Sequence, residues 1–203
     1  MSNLLQEIKR EALKNNVPII EDETALFLKD YIINNNVVDI LEIGSATGYS
    51  AIFMAEVADA VVVDTIEKNN ARFIEAATNI KKVNIELKRE KVRIINDDAL
   101  KIDLKLLKDK YDMIFVDGPK AQNILIVNYF EKLLKEGGAF IVDNIDFHGM
   151  VLDPSRTRSR NTLQLVEKIK KFIEWINGNA NYHTDYYKKG DGIIVARKET
   201  NNE

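Results

Sequence analysis

Apolar residues Leu4, Leu5, Ile8, Ala12 and Leu13 recur at helical spacing, which predicts a helix over 3–15. Pro18 interrupts it. A second helix is predicted over 22–33, with acidic residues at its start, where the helix dipole favours them. From there strands and helices alternate. Strands are expected at 37–42, 60–66, 92–95, 111–116 and 139–142, and helices at 49–57, 68–80, 101–108 and 122–134. The runs VVDILEI, AVVVDTI and YDMIFV are almost continuously apolar, as in strands buried on both faces of a parallel sheet. Short connections then imply right-handed crossovers and a doubly wound, mostly parallel α/β sheet. The end of the chain breaks the alternation. A helix over 162–176 is followed by NYHTDYYKKGDGIIVARK, two strands around Lys189-Gly190-Asp191 that read as an antiparallel hairpin. Trp175 and Tyr186 are expected to pack the last helix on the sheet, and the polar residues 199–203 to fray.

Composition narrows this picture in few places. With 203 residues the chain suits a single domain over 1–203, with N-terminal helices at 1–35 and the sheet and its helices at 36–198. It has no cysteine, which excludes a disulfide framework, a thiolate zinc site and a cysteine nucleophile, and fits a cytoplasmic location. The charged opening MSNLLQEIKREALKNN does not read as a signal peptide, and no apolar run reaches the roughly 18 residues of a membrane span. The net charge is -3, so any nucleic-acid binding must come from a local basic patch.

Candidate chemistry begins at LEIGSATGYS, where a strand runs into a helix through a turn with two glycines. A phosphate-binding loop would need G-x-x-x-x-G-K-[ST], but no lysine follows Gly48. A dinucleotide loop would need G-x-G-x-x-G, but the spacing here is Gly44-x-x-x-Gly48 with alanine at position 46. A nucleoside without phosphates, S-adenosylmethionine, remains. Its ribose calls for a carboxylate at the end of the next strand, where Glu67 stands. A plain tight turn beside a surface glutamate is the competing reading.

EIGSATGYS, TIEKNNARFIEAATNI, NDDAL, YDMIFVDGPKAQN and GGAFIVDNIDFHG follow one another in an order that resembles the class I methyltransferases of the catechol and caffeoyl-CoA O-methyltransferase type. The resemblance extends from about Val17 to Lys198. It implies a Rossmann-like seven-stranded sheet and an S-adenosylmethionine site made by Ile20, Glu42, Gly44, Ser45, Gly48, Tyr49, Ser50, Glu67, Asp98, Ala99 and Asp117. Pro18 and Ile19 would extend the wall beside Ile20. Family members are commonly homodimers.

Asp117, Asp143 and Asn144 end two of the predicted strands, and the carboxyl ends of strands face the ligand crevice in such a sheet. Hard oxygen donors suit Mg²⁺ or Ca²⁺; loop capping or pairing with lysines would also account for them. The resemblance implies a divalent metal at these three residues. It also implies that Lys120 beside Asp117 assists deprotonation of the accepting hydroxyl, where a solvated loop lysine is the alternative. Four positions depart from the family's pattern: Gly118 and Pro119 stand where two small residues are usual, Asn123 where an aromatic is, and Asp97 where a glycine is.

The segment HGMVLDPSRTRSRNT follows Asn144 and carries Arg156, Arg158 and Arg160. Arginines bind phosphate well, although a solvated loop has the same pattern. The segment resembles bacterial tRNA 5-hydroxyuridine methyltransferases. That implies a wobble uridine in the tRNA anticodon loop as acceptor, with the arginines on flanking phosphates. A small catechol or phenol is the alternative acceptor. A non-catalytic RNA-binding protein and a dinucleotide oxidoreductase are more distant rivals. His148 is a possible pocket residue.

Overall fold

The computed structural model describes residues 2–200; the predicted fraying falls partly on 201–203, outside them. Two helices, α1 (Asn3–Lys14) and α2 (Asp22–Asn34), precede the sheet. Ser2 caps α1 by accepting the Leu5 N–H at 3.1 Å, and its own N–H and hydroxyl bind Glu56 in the third helix. The alternating part runs β1 (Asp39–Ile43), α3 (Tyr49–Glu56), β2 (Val62–Glu67), α4 (Asn70–Glu86), β3 (Val92–Asn96), β4 (Tyr111–Val116), α5 (Asn123–Phe130) and β5 (Leu134–Asp143). Then come α6 (Arg160–Asn177), β6 (Tyr182–Tyr187) and β7 (Ile193–Lys198).

The seven strands lie in the order β3-β2-β1-β4-β5-β7-β6. Neighbours from β3 to β5 are parallel, and β7 pairs antiparallel with both β5 and β6. This is the mostly parallel doubly wound sheet with an antiparallel end that the pattern predicts. Alternate residues face opposite layers. Ile40, Met113, Phe115 and Ile141 join α1 to α4 on one face. Leu41, Ile43, Ile114, Val116 and Phe140 join α5 and α6 on the other. Strand order reverses between β1 and β4, so their carboxyl ends diverge and open a crevice.

Three expectations need correction. The helix expected over 101–108 is a single 3₁₀ turn at Leu104–Leu106: Asp103 is extended and caps the start of the turn through the Lys105 N–H, and Leu107 is extended again at its end. The helix expected over 122–134 is α-helical over Asn123–Phe130 and tightens to a 3₁₀ turn at Glu131–Leu133, and β5 begins as early as Leu134. Trp175 packs on the α5–α6 layer as expected, but Tyr186 is 52% exposed on the edge strand β6 and donates its hydroxyl to Asp146 at 2.7 Å. Among the described residues no helix is long and apolar enough to cross a membrane.

Candidate functional site

A cavity of about 970 Å³ opens at the carboxyl ends of the parallel strands. The β1–α3 turn forms its floor. Gly44 (φ +99°), Ala46 (φ +45°) and Gly48 (φ +81°) all take left-handed backbone. Gly44 has a steric requirement as well: a methyl there would lie 2.6 Å from the Asp117 carbonyl oxygen. The two glycines therefore serve different ends. Gly44 lines the cavity, whereas Gly48 faces Ala76 and Ile80 of α4. Ser45, Tyr49 and Ser50 line the cavity, as do Pro18, Ile19 and Ile20 from the connection between α1 and α2.

Glu67 ends β2 and is already engaged. Its Oε2 accepts the Ala46 N–H at 2.9 Å and its Oε1 the Asn69 N–H at 2.7 Å. Asp98 and Ala99 line the same wall. Asp98 accepts from Lys68 Nζ at 2.8 Å and from the Leu100 N–H at 3.1 Å, and these bonds, chiefly that of Lys68, hold its carboxyl below the usual range. Asp97, the departure from glycine, turns its carboxylate back onto the Asp98 N–H at 2.7 Å.

Glu42 does not line the cavity. It is fully buried in β1, accepts the Thr65 hydroxyl at 2.5 Å, and lies beside the Ser50 hydroxyl, which also favours its charged form. Burial pushes its pKa up to about 8.

The opposite wall gathers the expected metal and proton-handling residues. Asp117, Lys120, Asp143 and Asn144 all line it. Lys120 Nζ lies 3.0 Å from Asp117 Oδ1. Asp143 is 1% exposed; its Oδ1 accepts the Asn144 N–H at 2.7 Å, and its Oδ2 has no partner among the described residues. Burial, reinforced by the charge of Asp117, pushes its carboxyl up to about 7, against the opposing pull of the Asn144 N–H and Lys120. A buried carboxylate with an orphan oxygen beside a second carboxylate is short of positive charge. Two carboxylates and an amide oxygen fit a hard divalent cation. Among the described residues no three His, Cys, Asp or Glu side chains converge as a metal site, and the third member of this set is an asparagine.

Asp191, from the β6–β7 turn, and Phe147 and His148 also line this wall. The sequence marks Asp191 only as a turn residue; the glycines on both sides of it were the available signal. Arg156, Arg158 and Arg160 do not line the cavity and are exposed. Arg156 donates to the His148 carbonyl at 3.1 Å, so it is held at the rim.

Comparison with known proteins gives these findings. A sequence model described as O-methyltransferase matches residues 1–199. A catechol O-methyltransferase of Mycobacterium tuberculosis is 26% identical over 132 residues, 63% of this chain and 59% of that protein, so the match spans about three fifths of the relative. The tapetum-specific methyltransferase 1 of Arabidopsis thaliana is 24% identical over 96% of this chain and 86% of its own length. Among solved structures, a provisionally named caffeoyl-CoA O-methyltransferase from Staphylococcus aureus is 37% identical with a TM-score of 0.89, covering 98% of this chain and 93% of that one. An O-methyltransferase from Bacillus cereus in complex with SAH is 26% identical with a TM-score of 0.79, covering 98% and 92%.

Proposed function

The chain belongs to the O-methyltransferase family, and from that premise we propose that it moves a methyl group from S-adenosylmethionine to an aromatic hydroxyl that has a second oxygen beside it. A small catechol is the simplest such acceptor. The observation that carries the reading is Asp143: a carboxylate 1% exposed, with one oxygen unpartnered, on the same cavity wall as Asp117, Asn144 and Lys120.

Glu67 lines the cavity and would take the ribose hydroxyls, and Asp98 and Ala99 on the same wall would lie against the adenine. Gly44 allows the cofactor's tail to approach the backbone. Asp117, Asp143 and Asn144 would hold Mg²⁺ or another divalent cation. When bound, such a cation lowers the acceptor hydroxyl's pKa. Lys120, tethered 3.0 Å from Asp117, would steer the accepting oxygen as an ammonium or, in its neutral amine form, take that oxygen's proton. Pro18, Ile19 and Ile20 line the cavity and would form part of the cofactor's wall.

A second acceptor has its own support. Arg158 and Arg160 are exposed beyond the rim, and no ion pair engages either among the described residues. They suit phosphates flanking a splayed base such as the wobble 5-hydroxyuridine of tRNA, whose 5-hydroxyl and 4-carbonyl are neighbouring oxygens.

One experiment decides between them. Labelled S-adenosylmethionine is offered with a catechol and, separately, with tRNA rich in 5-hydroxyuridine, each with Mg²⁺ and with a chelator. Metal-dependent label in catechol alone supports the first reading. Label in tRNA alone transfers the assignment to the second. No label in either defeats both.

A further inference from the structure

Three consecutive residues at the acceptor rim take left-handed backbone: Phe147 (φ +47°), His148 (φ +57°) and Gly149 (φ +75°). Only one of them is glycine. Bulky residues persist in that region only where the surroundings hold them there. Two residues distant in the chain do so. From the sheet side, Asp191 Oδ1 accepts the His148 N–H at 2.5 Å, while its Oδ2 faces the imidazole Nδ1 at 3.6 Å. Asp191 is itself only 8% exposed. From the outer side, Arg156 Nη1 donates to the His148 carbonyl at 3.1 Å. The guanidinium also lies over Gly149, where a methyl group would come within 2.6 Å of Nη1. Asp153 steadies it, 3.7 Å from Nε.

Both polar backbone groups of His148 are therefore held by side chains, and the rim has one defined shape. Phe147 and His148 line the cavity together with Asp117, Lys120 and Asp143. Their rings lie 5.6 Å apart, inclined by 35°.

We propose that Arg156 and Asp191 are positioning residues for the acceptor: they clamp His148 at its N–H and its carbonyl, and so hold the Phe147 and His148 rings as the wall against which a planar acceptor lies. This rests on the methyl-transfer reading. It separates Arg156 from Arg158 and Arg160, because its guanidinium is engaged within the protein and acts even on an acceptor without phosphate.

The test uses the full chain with S-adenosylmethionine, Mg²⁺ and a catechol. Arg156→Ala is expected to raise the catechol KM about tenfold while the cofactor KM and the melting midpoint stay close to wild type. Lys168→Ala, which removes an equal charge from an exposed site on α6, is the control and should leave the catechol KM unchanged. Asp191→Asn retains an oxygen acceptor and should keep the catechol KM, whereas Asp191→Ala should raise it. A second readout needs no turnover: amide hydrogen exchange across residues 145–151 should quicken in Arg156→Ala. Unchanged exchange overturns the clamp. Faster exchange with an unchanged catechol KM overturns the positioning role. A wild-type protein that methylates no catechol overturns the functional reading itself, and the exchange arm still decides the clamp.

Discussion

Glu67 and Asp143 both end strands of the same sheet and both face one cavity, yet the protein treats them differently. Glu67 accepts two backbone N–H groups from the turns around it, one on each oxygen. Asp143 is buried more deeply, accepts one, and leaves Oδ2 without a partner among the described residues. The wall around Glu67 is finished by backbone N–H groups, one from Asn69 next to it in sequence and one from Ala46 on the β1–α3 turn. The wall around Asp143 carries an unpartnered carboxyl oxygen that a proton or a bound cation would satisfy. On the proposed function, the first wall would serve cofactor binding and the second would serve reaction.

The sharpest way to break that contrast is to alter each carboxylate conservatively. Asp143→Asn keeps the shape and removes the charge. It is expected to lower turnover by about 10³-fold, the loss of several kcal/mol of metal-derived stabilisation, while cofactor binding survives. Glu67→Gln should instead raise the cofactor KM about tenfold and spare turnover at saturation. Steady-state kinetics with the cofactor varied, and calorimetry with the cofactor alone, check both. If Glu67→Gln lowered turnover as deeply as Asp143→Asn, the division between walls would not hold.

The two walls also differ in how far the sequence reveals them. Gly44, Glu67 and Asp98 are legible because each lies at or just past the end of a strand, although their partners Asp117, Ala46 and Lys68 are distant in the chain. Asp117, Asp143 and Asn144 are legible for the same reason. The rest of the acceptor wall is not. Asp191 reaches the cavity only because β7 pairs with β5, a contact between residues some fifty positions apart. The left-handed backbone of Phe147 has no local signature, since phenylalanine does not favour it, and the mild tendency of histidine towards that region does not by itself single out His148. Glu42 carries the opposite lesson. It belongs to the motif, but the inward face of β1 places it beneath the cavity, out of contact with its interior.

The walls meet at Gly44. A side chain there would press on the Asp117 carbonyl at 2.6 Å and would also have to adopt φ +99°. Gly44→Ala therefore pushes apart the ends of β1 and β4 and damages both walls together. Strain of about 1–3 kcal/mol is expected, seen as a lower melting midpoint and at least about tenfold weaker cofactor binding.

Stability against pH gives a smaller but more diagnostic effect. Asp143 and Glu42 keep their protons in the folded protein up to about pH 7 and about pH 8, well above the values of free carboxyl groups. Their contribution is thus full below the unfolded-chain values and is lost as pH rises through those folded values. The metal-free protein should melt several degrees lower at pH 9 than at pH 6, with Asp143→Asn and Glu42→Gln each flattening part of the slope. Mg²⁺ should restore the Asp143 part alone, raising the midpoint at pH 8 more than at pH 6. Restoration that survives in Asp143→Asn would mean that the cation binds elsewhere.

The smallest effect is expected at Lys68, which pairs with Asp98 at 2.8 Å and is 74% exposed. An exposed pair of this kind contributes little to stability, so Lys68→Ala should move the midpoint by no more than about 1 °C. Asp98 keeps its second anchor, the Leu100 N–H at 3.1 Å, so its carboxylate should stay in place. Cofactor affinity is then expected to remain within about twofold of wild type by calorimetry. A tenfold loss would show that Lys68, which lines the cavity, touches the cofactor itself. The cofactor wall would then depend on a mobile surface cation as well as on backbone, and the contrast with the acceptor wall would narrow to Asp143 alone.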